Sequence, residues 1–370
     1  MVVAFASTEV SDQTTVVRGI STAYDEGSVM ARKTSRSPRW MILLAGPALA
    51  LAMGGCGARR AQTMSALPAA AEPALAPLAT AAPAGRSVHV GQFPEGIVAD
   101  ARTGLVAVGV RDPAALVLLD ARAGAVRRRV TIPGAPRHLQ LAGPGGPVLV
   151  PEEPVNELLE LSLPRGRFRS IKVGAHPHDA TADDGRVFVN DEFGQSVSVV
   201  QGTRVIRQIR GFVQPGGLVA DGSNVAVVDV RGNSITLVGA HTLRIEGRLG
   251  AGAGPTHAVA GRDGWLYVID TRGGAVFTYA TRPSLQRRRR FRLPGAPYGV
   301  AIDRSRGRLW VTLTAKNQLV ELATGGGALR VIGRYATGRQ PNTVAVDERD
   351  GRVFVADSDP GTVQLIDPRH

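Results

Sequence analysis

The sequence predicts an all-β protein, a seven-bladed β-propeller with four antiparallel strands per blade. One stretch, a proline followed by an apolar strand, an Asp/Gly turn and a second apolar strand, recurs seven times, most clearly as PNTVAVDERDGRVFVAD (341–357). The copies begin at Pro94, Pro136, Pro177, Pro215, Pro255, Pro297 and Pro341, so they are spaced by 42, 41, 38, 40, 42 and 44 residues. That period suits one four-stranded blade per copy. The last copy ends one strand short at His370, whereas SVHVG (87–91) stands before Pro94 as IKVG stands before Pro177. This orphan strand is expected to complete the last blade and close the ring, making 87–370 a single domain.

The segment before the repeats reads as an address. Residues 1–29 are polar and without period. From Met30, the expected true start, Arg32, Lys33, Arg36 and Arg39 precede an apolar run, Trp40 to Met53, of 14 residues. A membrane-spanning helix needs about 20 residues, so the run fits the core of a signal peptide. It ends in Met53-Gly54-Gly55-Cys56, which resembles a bacterial lipobox. Cys56 is therefore the expected lipidation site and 1–55 the leader. Cys56 is also the chain's one cysteine, so no internal disulfide can form. Several acyl chains give stable membrane anchoring where one does not. Residues 56–86 include LPAAAEPALAPLATAAPAG, rich in Ala and Pro and nearly uncharged, as in an extended tether that cannot build a core.

Each repeat then offers four strands. Strand A follows the proline (GIVAD, HLQLA, DATAD, GLVAD, HAVAG, GVAID, TVAVD), and five of the seven end in the Asp of the A–B turn. Strand B always carries a central valine and is apolar on both faces, as in RVFVND, WLYVID and RVFVAD; sheets covered on both sides require this. Strand C alternates more, as in SVSVV, SITLVG and TVQLID. Strand D is basic, as in VRRRVTI (126–132) and LQRRRRFRL (285–293). The gradient places A at the channel and D at the rim, where charge discourages edge-to-edge pairing. Repeat two, HLQLAGPGGPVLVPEEP, departs most because it lacks the Asp turn.

These repeats resemble the YVTN family of β-propeller proteins, many of them exported, on the strength of LYVID, VFVAD and TVQLID. RLWVTL resembles the related form in streptogramin-type lyases. The resemblance covers 87–370 and implies the fold. It leaves function open, because propellers host unrelated activities.

In a propeller the D–A and B–C loops share one face around the channel mouth. The residues one and two after each proline are expected to line it: Glu95, Arg137, His138, His178, Asp179, His257, Tyr298 and Asn342 among them, with Arg111, Arg231 and Arg272 from the B–C loops. Three readings stay open. The face is a recognition surface; or His138, His178 and His257, with His176 or Asp179, hold a divalent metal such as zinc, copper or nickel; or a pair such as His257 with Glu95 supplies acid and base. The lyase branch opens cyclic depsipeptides with His and Glu at the mouth, but its spacing is not reproduced here. Phosphate loops, serine elbows and haem sites have no motif in the chain.

The charge of +13 is carried mostly by arginine, which either reflects composition alone or draws the domain to anionic surfaces. Nucleic acid is not an expected partner, since aromatic residues are only 5% of the chain and stacking platforms are correspondingly sparse. The expectation is a monomeric, lipid-anchored module of the bacterial cell envelope that binds an envelope protein, polymer or small ligand. An extracytoplasmic enzyme is the alternative.

Overall fold

A computed structural model describes residues 67–368; the leader and Cys56 lie outside the described residues. The chain forms seven four-stranded antiparallel sheets. In the first blade strands A to D are Gln92–Asp100, Leu105–Asp112, Ala114–Asp120 and Val126–Thr131. Strands B and C are buried almost throughout, as in Asn224–Asp229 and Ser234–Gly239, whereas strand D is exposed, as in Val126–Thr131. This is the expected gradient. Cores form between blades: Val228, Val230 and Leu237 of the fourth blade pack on Leu266, Val268 and Tyr279 of the fifth. Each fully buried Val or Leu contributes roughly 1.5–3 kcal/mol.

The ring closes as predicted. Arg86–His89 pairs antiparallel with Thr362–Ile366, with Val88 opposite Val363, and becomes the outer strand of the last blade. The seam is packed like any other blade boundary: Val90, Val106, Val108 and Leu119 meet Phe354, Ala356, Val363 and Leu365.

Two local features set the loops of the mouth. First, strand A carries a register shift just after its proline in six blades, for example between Pro94 and Ile97 and between Pro255 and Ala258. Such bulges re-aim side chains, here the residues one and two after the proline. Phe93, His176, Ala296 and Gln340, each just before a proline, are left-handed with φ between 54° and 60°. Second, the acid ending strand B is a buried loop clamp. Asp270 Oδ1 accepts the N–H groups of Ala253, Gly254 and Gly273 at 3.1, 2.9 and 3.0 Å. Asp229 takes those of Val213, Gln214 and Gly232. A Cβ on Gly273 would lie 1.9 Å from Asp270, so glycine is required there. In the second blade Glu152 replaces the Asp and accepts from Gly134 at 3.1 Å. That blade's strand A shrinks to Gln140–Leu141, in keeping with its missing turn.

The expected free tether differs from expectation. Residues 67–77 are extended, as four prolines between 68 and 83 require, but they lie along the mouth rather than free of the domain. An extended chain has no internal hydrogen bonds, and the loops supply the partners described below.

Candidate functional site

Arg137 sits at the centre of the mouth. Its Nη1 meets Glu95 Oε1 at 2.7 Å and its Nε lies 3.8 Å from Glu153 Oε2. Arg111 bonds the other Glu95 oxygen at 2.6 Å and approaches Glu153 at 3.7 Å. Two arginines and two glutamates thus form a charge-balanced square. Burial opposes the Arg137 charge, but Glu95, with Glu153 and Glu192, outweighs it and holds the guanidinium above its ordinary value.

Beneath this square the structure brings the three predicted histidines together. His138 is 4.8 Å from His178 and 4.4 Å from His257 between ring centroids. His257 Nε2 and His138 Nε2 share a 3.0 Å hydrogen bond, so the two neutral rings have opposite tautomers. Arg137 Nη2 donates to His178 Nε2 at 2.7 Å, which leaves His178 Nδ1–H to donate to the Gly216 carbonyl at 3.2 Å. Burial, then the Arg137 charge, lowers His138 to about 3. Burial likewise holds His178 and His257 well below the usual histidine range. Tyr298 packs edge-on against His257 at 4.6 Å, and its phenol is raised by burial.

The metal reading does not fit this geometry. His178 presents its nitrogen to a guanidinium, and the other two rings face each other. No group of three or more His, Cys, Asp or Glu among the described residues could hold a metal ion. His176 stands apart, packed edge-on against Phe193 at 4.7 Å between ring centroids. Asp179 staples blades instead: it accepts from Gln140 Nε2 at 2.9 Å and Leu218 N at 2.9 Å. Burial raises its carboxyl to about 7. Among the described residues Glu95 and His257 form no hydrogen bond with each other, and both Glu95 oxygens are taken by arginine.

On the far side of the histidines a cavity of about 440 Å³ runs down the channel. It is lined mainly by Val, Ile, Leu and Ala of the inner strands, with His138, His257 and Asp179 also in its wall.

The remaining predicted residues meet the tether. Arg231 donates to the carbonyls of Pro68 and Leu67 at 3.1 and 2.9 Å. Arg272 donates to Ala69 at 2.7 Å. Thr314 Oγ1 accepts from Ala74 N at 3.0 Å, and Asn317 donates to the Pro77 carbonyl at 2.8 Å. Arg339 donates to the Ala76 carbonyl at 3.1 Å. The Gln340 amide accepts from Ala76 N at 2.9 Å and donates to Ala74 O at 3.0 Å. Asn342 lies below and accepts a bond from Gln340 Nε2 at 3.2 Å. The arc spans blades four to seven. Glu72 stays largely exposed; burial pushes its carboxyl up, Arg137 pulls it down, and Glu95 and Glu153 push it up again. Thr314, Asn317, Arg339 and Gln340 were not foreseen, because their partner is a segment more than 230 residues away.

No protein-family model matches the chain, and no curated protein matches it. Solved structures do. A streptogramin B lyase is 16% identical with a TM-score of 0.64, over 76% of this chain and 96% of the lyase. The virginiamycin B lyase of Staphylococcus aureus is 16% identical at 0.62, over 76% and 98%. Kuenenia stuttgartiensis hydrazine synthase is 15% identical at 0.65, over 76% and 98%. The fold is a β-propeller. At such identities the likeness extends to the propeller architecture alone.

Proposed function

We propose that the chain is a YVTN-type propeller lipoprotein of the bacterial cell envelope, anchored through Cys56, whose mouth binds a partner. The observation that carries the binding reading is the state of the polar groups at the mouth. Glu95 is engaged twice by arginine, His178 is engaged by Arg137, and His138 by His257. A mouth whose carboxylate and guanidinium charges are already paired is organised for recognition rather than for proton abstraction, although Arg137 Nε and His257 Nδ1 have no hydrogen-bond partner of their own among the described residues. Phe93 and Phe193, 53% and 55% exposed, flank the mouth on the first and third blades. Exposed aromatic side chains at the edge of such a mouth are the residue type that anchors an interface hot spot.

Photo-crosslinking in envelope preparations tests this. A crosslinker at Phe193 is expected to trap a discrete partner, one at Arg288 on the outer strand is not, and Arg137→Ala is expected to abolish the product. Equal trapping at both positions contradicts the reading. Cys56→Ser is expected to move the protein from the membrane to the soluble fraction, and unchanged membrane retention contradicts the anchor.

The buried His138–His257 pair supports a second reading, an enzyme of the lyase type, because neutral imidazoles can pass a proton. Incubation with quinupristin separates the two. The binding reading predicts an intact ring; ring opening at unchanged mass that is lost in His257→Ala supports the lyase.

A further inference from the structure

The arc of chain on the mouth is held in an unusual way. Among the described residues, six side chains donate to or accept from its backbone through at least eight hydrogen bonds. Its central leucine is not used: Leu75 is 85% exposed, as is the following Leu78 at 77%, while the alanines Ala71 and Ala76 are buried and only Leu67 at the start is half-buried. A segment docked by the hydrophobic effect would bury its leucines. This one is read through its amides instead. Gln340 contacts Ala74 O and Ala76 N with its own amide, as a neighbouring β-strand would.

The reading groups are built in advance. Gln340 and Asn317 are left-handed with φ of 60° and 46°, a conformation that asparagine tolerates and that is strained for glutamine. Asn317 Oδ1 accepts from Gln340 N at 3.2 Å, and Asn342 orients the Gln340 amide from below. The segment approaches the loop closely: a Cβ on Gly254 would lie 2.8 Å from Ala71 Cβ. Gly254 therefore makes room for Ala71, which is buried at 8% exposure. Proline suits the ligand because it presets the extended backbone and lowers the ordering cost.

We infer that the mouth is a receptor for an extended alanine- and proline-rich segment of a partner polypeptide, and that Leu67–Pro77 is its own displaceable occupant. This rests on the binding reading above and gives the partner its chemistry. A tethered occupant competes at a millimolar effective concentration, so the partner must displace it, and binding is gated by tether release.

The probe is a fluorescent peptide of the sequence LPAAAEPALAP, residues 67–77, titrated by anisotropy against the full mature chain. In Ala71→Lys/Ala76→Lys, where the new cations face Arg272 and Arg339, the tether is released; this variant is expected to bind the peptide at least tenfold more tightly than wild type. Leu75→Asp, at an exposed position, is expected to match wild type. Adding Arg272→Ala to the released variant is expected to weaken binding at least tenfold. Circular dichroism verifies that each variant is folded. Equal affinity in wild type and released variant overturns the inference, as does no binding to the released variant at millimolar peptide. Retention of the Phe193 crosslink in either case leaves the binding reading standing, and only the peptide assignment falls.

Discussion

At the scale of single residues, the mouth is held by carboxylates. Asp270 closes strand B of the fifth blade on three backbone N–H groups and is 2% exposed. Asp270→Ala strands those donors, and leaving buried donors unpaired costs about 1–3 kcal/mol each. Partial rescue by water reduces the sum, so the expected loss is about 2–4 kcal/mol in urea unfolding; a loss below about 0.5 kcal/mol would contradict the clamp. The histidines make a pH prediction. His138 is neutral in the fold, with its folded value lowered to about 3. In the unfolded chain it takes a proton below about 6.5. The stabilisation from a neutral His138 is therefore fully present above that value and is lost as pH falls toward the folded value. Wild type should lose about 1.4 kcal/mol per pH unit more than His138→Phe over this window. Parallel pH profiles for the two proteins would contradict a buried neutral imidazole. Much of this residue chemistry was legible in advance. Placement after the proline put Glu95, Arg137, His138, His178 and His257 at the mouth. What the spacing could not give was partnership: Asp179 and Tyr298 share that placement, yet Asp179 staples a neighbouring blade and Tyr298 packs on a ring.

At the scale of elements, period and hydropathy carried most of the information. Strand B is apolar on both faces because each sheet is covered twice, and strand D is arginine-rich because nothing covers it. The order of strands follows from that contrast alone. The bulges after six of the prolines left no mark in hydropathy, since a register shift moves backbone without changing residue type. The tether was read correctly as extended but not as docked, because its six partners are spread over 231–340 and each looks like an ordinary loop residue. The closing strand gives the prediction that belongs here. Val90 is fully buried at the seam beside Val110 and Val363. Val90→Asp places a carboxylate in that contact and is expected to cost more than about 3 kcal/mol, read as a lowered Tm. An unchanged Tm would mean that the seam does not hold the ring.

At the scale of the whole molecule, the ring fixes one face on which loops from all seven blades converge, and the segment before the ring returns to that face. Tether and propeller are therefore coupled. A membrane anchor at Cys56 would reach the domain through the very segment that occupies its mouth, so release of the mouth lengthens the free tether and exposes the receptor in one step. Amide hydrogen exchange on the full chain tests this coupling most directly. The N–H groups of Ala74 and Ala76, bonded to Thr314 and Gln340, are predicted to exchange on the order of 100-fold more slowly than in an unstructured chain. They should lose that protection in Ala71→Lys/Ala76→Lys. Exchange of both amides at the unstructured rate in wild type would contradict the account.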